Sequence, residues 1–316
     1  ELIQAGHRPG LTALLEASAI RNQSLSAEDI AFRLAPRLNA AGRMDHAALA
    51  VDLLTARDIE TANKTAQTLN LLNRKRQDLE KGILADIQRF IDKNSSLLRL
   101  RSLVLYQHGW HAGVLGIVAS RLMRSYHRPV VLISLQDGTG KGSARSVEGL
   151  NIYDALAACG PLLEGFGGHA MAAGLQIREE NIADFQNVFE KEIQRTSSPE
   201  TLVPTLHIDS ELELGAISDD LIDELELLMP FGAGNPEPFF LARKVKVVNS
   251  KIVGRNHRRM VIGQASGHGA ATLSAIHFNV NDDDAKKFHF DQMVFRLQWN
   301  RWNGKKTAQI VVEDLL

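Results

Sequence analysis

A single cysteine, Cys159, stands among 316 residues. Neither an intrachain disulfide framework nor a cysteine-clustered zinc site can be built from this chain. Charge of one sign is also missing: 36 Lys and Arg against 37 Asp and Glu leave a formal net charge of −1. That excludes a polycation binding nucleic acid over its whole surface, and any such surface has to be local. No run reaches about 18 apolar residues, so no segment qualifies as a transmembrane helix. The chain begins Glu1-Leu2-Ile3-Gln4, without initiator methionine or secretory signal, and the expectation is a cytoplasmic protein represented by a truncated chain. Walker and Gly-x-Ser-x-Gly motifs are absent, as is a clear Asp/His metal constellation. His108 and His111 have a metal-like spacing but no third ligand near them in sequence, and Asp282-Asp283-Asp284 reads as a solvated loop.

What is present is an ordinary globular composition, 44% hydrophobic and 23% charged, long enough for two or three domains of about 100–200 residues. The first stretch is helical. Ser26-Ala27-Glu28-Asp29 has the form of a capping box, Pro36 and Gly42 bracket an expected short break, and Asp45 and Asp58 are placed to cap the helices that follow. Apolar residues from Ile59 to Phe90 keep three- and four-residue steps opposite a charged face. One helix over residues 58–92, about 50 Å long at 1.5 Å per residue, would connect two domains. A helix pair broken near Gly82 is the alternative.

From Ser102 the period changes. Strands are expected at Leu103–Tyr106, Val130–Ile133, Lys141–Val147 and Ala172–Ile177, and helices at Val114–Tyr126, Tyr153–Ala158 and Ile182–Ile193, with a glycine-rich turn at Gly165–Gly168. That alternation is α/β. After a linker at Thr196–Pro199, a strand region opens near Leu206–Leu214, Ser218 caps a helix through Met229, and Pro230–Pro238 is a loop. About five further strands then suggest a small barrel. Asn303-Gly304 is a type I′ hairpin turn, so Trp302 should pair with Lys305, Trp299 with Ala308, Leu297 with Ile310 and Phe295 with Val312. The apolar and polar faces of the hairpin then separate cleanly.

Four groups of residues can carry chemistry. The last third holds Arg243, Lys244, Lys246, Lys251, Arg255, Arg258 and Arg259 without an acid between them, and its hairpin adds Arg296, Arg301, Lys305 and Lys306, with Trp302 on the polar face. Basic strands with an open aromatic suit single-stranded nucleic acid; they suit a solvated sheet edge equally well. In Lys141-Gly142-Ser143-Ala144-Arg145-Ser146, Ser143 and Arg145 share one face of a strand and can clamp a phosphate, although most such loops are only turns. In Gly167-Gly168-His169, His169 can donate to a phosphate or transfer a proton, or be a satisfied polar residue in a tightly packed turn. Arg37, Asn39 and Arg43 can reach phosphates or cap helices.

Six segments, in this order, resemble the DHH phosphoesterase family, and within it the bacterial single-strand-specific DNA exonucleases. They are FRLAPRLNAAGR (Phe32–Arg43), GWHAGVLGIVASRL (Gly109–Leu122), KGSARS (Lys141–Ser146), FGGHAMAAG (Phe166–Gly174), PFGAGNPEP (Pro230–Pro238) and WNRWNGK (Trp299–Lys305). The resemblance implies α/β plus all-β architecture: the tail of a catalytic DHH domain over 1–57, a long connecting helix over 58–98, a DHH-associated α/β domain over 99–196 and an OB-fold domain over 197–316. It implies a 5′-to-3′ exonuclease of DNA repair and recombination, whose Mn²⁺ or Mg²⁺ ions are held by residues upstream of this chain. Ser143 and Arg145 would hold the 5′ end. Gly167, Gly168 and His169 would face the nucleotide, with His169 nearest the chemistry, and Arg37, Asn39 and Arg43 would lie near the scissile region. Trp302, Arg296, Lys305, Lys306, Arg258 and Arg259 would lead single-stranded DNA. A metal-free DNA-binding relative and an enzyme of short oligonucleotides or cyclic dinucleotides are the alternatives. Single-stranded DNA is the expected partner, with a helicase and a single-strand-binding protein as candidate partners of the intact enzyme.

Overall fold

The structure, a computed structural model, describes residues 8–20, 25–264, 272–280, 284–302 and 304–316, without the side chain of Trp302. It divides into two compact units, Glu1–Pro204 and Thr205–Leu316.

The first unit opens with α1 (Pro9–Ala17), which carries proline in its first turn, where no backbone donor is needed. The short α2 (Ala27–Asp29) starts on the expected capping box: Asp29 N–H donates to Ser26 Oγ at 3.1 Å, and Ser26 N–H to the Asp29 carboxylate at 3.2 Å. It continues through one π-turn (Ile30–Leu34) into α3 (Ala35–Met44). The expected break at Pro36–Gly42 is therefore helix. Pro36 falls in the first turn of α3, where it is tolerated, and the place of a Cβ on Gly42 meets only Ala47. Asp45 does not cap the next helix; it ends α3 as its C-terminal cap, and α4 (Ala48–Thr55) starts from Ala47.

The long helix is α5 (Ile59–Lys93), with Thr61 N–H donating to Asp58 Oδ1 at 2.8 Å. It runs unbroken through Gly82, which faces open space, so the glycine costs only its propensity, about 1 kcal/mol. Ala62, Ala66 and Leu69 pack into one core with Leu14, Leu34 and Leu53. Ile83, Ile87 and Ile91 pack into another with Leu103, Val114 and Val118.

The α/β part follows as β1 (Leu103–His108), α6 (Ala112–Tyr126), β2 (Val130–Gln136), β3 (Thr139–Arg145), α7 (Ile152–Ala158), β4 (Leu163–His169), β5 (Ala172–Arg178) and α8 (Ile182–Thr196). The sheet order is β1-β2-β3-β5-β4, with β1 and β2 parallel and the other pairs antiparallel. Successive side chains of β1 and β2 enter opposite cores, as period two requires. Leu103, Leu105, Val130 and Leu132 meet α5 and α6, whereas Val104, Val131 and Ile133 share a core with Leu156 of α7 and Phe185 and Phe189 of α8. The Gly165–Gly168 segment, expected as a turn, is part of strand β4. Backbone pairing to β5 holds it there.

In the second unit the expected strand region near Leu206–Leu214 shrinks to β6 (Ser210–Glu211), and Leu214 opens a 3₁₀ turn. The helix α9 (Asp219–Leu227) starts where Leu221 N–H donates to Ser218 Oγ at 3.2 Å. Among the described residues five longer strands follow: β7 (Phe240–Val253), β8 (His257–Gln264), β9 (Leu273–His277), β10 (His289–Trp302) and β11 (Lys305–Leu315). Pairing runs β7–β8–β9–β11–β10 and returns from β10 to β7, a ring of five strands around Val247, Ile262, Ala275, Phe295 and Ile310. The closing hairpin has the expected register in every pair, from Trp302 opposite Lys305 to Phe295 opposite Val312.

Candidate nucleic-acid interface

In the first unit, β3 ends on Arg145, and β3 is a central strand rather than an exposed one. Arg145 donates from Nη1 to Ser143 Oγ at 3.1 Å and to the Ala144 carbonyl at 2.7 Å, and from Nε to Ser120 Oγ on α6 at 3.1 Å. Ser120 Oγ in turn donates to the Gly116 carbonyl at 2.9 Å. Gly116 makes the room: a Cβ there would lie 2.6 Å from Arg145 Nη2 and 3.1 Å from Ser143 Oγ. Gly113, one turn earlier, lets α3 approach, since its Cβ would fall 2.1 Å from the Arg43 carbonyl oxygen.

Arg43 and Arg145 consequently share a neighbourhood, although 102 positions separate them in the sequence. Burial, and after it the charge of Arg43, hold the Arg145 guanidinium below the usual arginine range. Among the described residues no carboxylate bonds to either. Two guanidiniums and a hydroxyl without an acid form a place where an anion relieves both repulsion and desolvation.

The sheet register adds the glycine motif. Arg145 pairs with Ala172, and Ala172 with His169; Ser143 pairs with Gly174, and Gly174 with Gly167. Directly opposed residues share a face, so His169 lies on the face of Arg145, two strands or about 10 Å away. Gly165, Gly167 and Gly174 leave a shallow depression of about 420 Å³ there, edged by Lys141, Phe166 and Gln176. Gly168 is different. It pairs with Ala173 of the core, has φ of 147°, and a Cβ on it would sit 2.4 Å from the Ala172 carbonyl oxygen. Backbone conformation requires that glycine, and it does not line the depression.

Because Pro36–Arg43 is helical, the three polar residues there separate. Asn39 and Arg43, four apart, lie on one face of α3 and Arg37 lies on another. Arg37 donates from Nε to Asn70 Oδ1 on α5 at 3.0 Å and from Nη1 to the Arg33 carbonyl at 2.5 Å. It is held away from the Arg145 cluster.

In the second unit much of the cationic ground is already engaged. Arg258 is fully buried, donating to the carbonyls of Asp284 at 2.6 Å and Lys287 at 2.7 Å and to Ser250 Oγ at 3.2 Å. It ties that segment to β8 and is out of reach of a ligand, contrary to the expectation from its sequence. Arg296 meets Glu237 at 2.7 Å and Glu313 at 3.2 Å. Burial opposes its charge, but the two carboxylates raise its pKa above the ordinary arginine value. Arg301 is bound by both oxygens of Glu226, Lys306 by Asp223, and Arg243 by Glu211. The hairpin carries no acid between its cations in sequence, yet α9 supplies acids from more than 70 residues away. Exposed and without a bonded acid among the described residues are Lys244, Lys246, Lys251, Arg255, Arg259 and Lys305. Lys251 and Arg259 are directly paired across β7 and β8. Trp302 sits opposite Lys305 in the ladder, and its side chain is outside the described residues.

Sequence reasoning missed Gly116 and Ser120 as the support of Arg145. The signal was their four-residue spacing, which stacks them on one face of a helix.

Two family models match these two regions: the DHHA1 domain over residues 100–195 and the RecJ OB domain over 208–314. The single-stranded-DNA-specific exonuclease RecJ of Haemophilus influenzae is 34% identical over 322 residues, covering 98% of this chain and 56% of its own length. That of Escherichia coli is 34% identical, with 99% and 56% covered. The chain carries the DHHA1 and RecJ OB domains and is similar to RecJ over nearly its whole length. It spans little more than half the length of these curated relatives. The crystal structure of Thermus thermophilus RecJ in complex with Mn²⁺ superposes with a TM-score of 0.82 at 30% identity, over 99% of this chain and 45% of that one. The Mg²⁺ complex gives 0.81. Among the described residues no three His, Cys, Asp or Glu side chains gather as metal ligands. No described helix is long and apolar enough to cross a membrane.

Proposed function

We propose that this chain is the substrate-positioning part of a single-strand-specific 5′-to-3′ DNA exonuclease of repair and recombination. The DHHA1 region holds the 5′ end of the strand and the OB region leads single-stranded DNA to it. The observation that carries this reading is the acid-free neighbourhood that Arg43 and Arg145 share against α6, beside Ser143, with His169 on the same sheet face as Arg145. A terminal phosphate would be bound by the Arg145 fork and the Ser143 hydroxyl, and the glycine depression leaves room for the attached nucleotide. His169 would donate to a neighbouring phosphate oxygen. Asn39 and Arg43 would face the next phosphate from α3, and Arg37 would contribute by fixing α3 on α5.

In this reading the catalytic Mn²⁺ or Mg²⁺ ions are bound by residues outside this chain. The divisions at 57, 98 and 196 mark the ends of the catalytic tail, the connecting helix and the DHHA1 region. A helicase or a single-strand-binding protein would be the partner that presents the single strand. Fluorescence anisotropy with one oligonucleotide carrying either a 5′-phosphate or a 5′-hydroxyl tests the reading directly. The phosphorylated strand should bind more tightly, and the preference should vanish in Arg145→Ala. Equal affinity for both ends in the unaltered chain would overturn it.

A further inference from the structure

The α9 sequence Asp-Asp-Leu-Ile-Asp-Glu-Leu-Glu-Leu carries five acids and no base. Its inward residue Ile222 joins the core of the ring, which fixes the helix against β10. Asp223 Oδ1 then accepts from Lys306 Nζ at 2.6 Å and from Trp299 Nε1 at 2.7 Å. Lys306 Nζ stands 4.1 Å over the Trp299 ring. One turn on, Glu226 takes both Nη atoms of Arg301, at 2.6 and 2.7 Å. Two carboxylates about a turn apart thus occupy two cations of one hairpin, as successive phosphates of a strand would.

These contacts are well formed but not sealed. The side chains of Arg301 and Asp223 are 57% and 54% exposed. Exposed pairs of this kind contribute little to stability and exchange readily with other anions. Glu224, on the same helix, is exposed with no cation against it among the described residues.

We propose that the acidic face of α9 is a built-in competitor for the phosphate backbone, in which Asp223 and Glu226 hold Lys306 and Arg301 in place of nucleic acid and set how tightly the hairpin takes a single strand. This rests on the reading of the second unit as a single-strand-binding surface. A strand entering the hairpin has to displace the carboxylates. The freed carboxylates recapture cations, so the net ion release is smaller than the number of hairpin cations suggests.

Binding of fluorescein-labelled oligothymidylate to the full chain at several salt concentrations tests this. Glu226→Gln frees Arg301 without changing shape. It should steepen the slope of log K against log salt by about 0.7 and tighten binding about fivefold at 0.1 M, the effect of one more phosphate contact. Asp223→Asn with Glu226→Gln should steepen it by about 1.4. Glu224→Gln, an equal change in net charge, should do neither. Glu226→Gln combined with Arg301→Gln should return to the unaltered affinity. Unchanged or weaker binding in a folded Glu226→Gln chain overturns the proposal. So does equal tightening in Glu224→Gln or in the Glu226/Arg301 pair. If the unaltered chain does not bind and Lys305→Gln changes nothing, the single-strand reading itself has failed, and the competitor with it.

Discussion

Arg145 and Arg301 each lie at or near the end of a strand and each point to a hydroxyl or carboxylate partner, but their surroundings make them opposites. Arg145 is half-buried, bonds among the described residues to neutral oxygens, and feels the charge of a second guanidinium, Arg43. Arg301 is mostly exposed, and Glu226 neutralises it with two hydrogen bonds. The first arrangement is electrostatically unfinished without an anion and the second is complete. Positive charge counted along a sequence is therefore not the charge a ligand meets. What decides is whether the fold returns an acid to each cation.

That contrast can be broken at four places. Arg145→Ala should have the largest effect on binding. Losing charge-assisted hydrogen bonds of about 1.5–3 kcal/mol weakens the 5′-phosphorylated strand roughly ten- to a hundredfold, and the 5′-hydroxyl strand less. A titration showing equal losses would remove Arg145 from the end site. Arg258→Met should act on stability instead. The carbonyls of Asp284 and Lys287 lose their donor, at a cost of about 1–3 kcal/mol, while affinity per folded molecule holds. Chemical denaturation beside anisotropy separates the two. Gly116→Ala should keep the fold, since alanine favours a helix by about 1 kcal/mol, but push Arg145 off Ser143 and cost about tenfold in 5′-phosphate preference. Lys305→Gln is the smallest change, flattening the salt slope by about 0.7. A slope that does not move would make Lys305 a solvated edge residue.

Much of the architecture was legible because local and global signals agree. Asn303-Gly304 fixed the hairpin register to the residue, and Asp58 with the apolar spacing beyond it defined α5. Pro36 and Gly42 misled because a breaker in the first turn, or facing a small neighbour, does not break. Gly165–Gly168 misled because a strand can rest on its partner's backbone and needs no side-chain propensity. At the site, Ser143 and Arg145 were legible as one motif on one strand face and His169 as another, and that His169 shares their face followed only from the β3–β5–β4 register. Arg258 could not be read from sequence. Two of its three acceptors are main-chain carbonyls 26 and 29 positions away, and carbonyls have no residue type.

The unbroken α5 has a mechanical consequence. One rod of 35 residues supplies Ala62, Ala66 and Leu69 to one core and Ile83, Ile87 and Ile91 to the next. No break in the helix separates those cores. A twist or tilt imposed at the Ala62 end is carried as a rigid displacement to the Ile91 end, about 45 Å along the axis. The α5 helix behaves as the shared axle of the first unit, and loosening either bearing should loosen both.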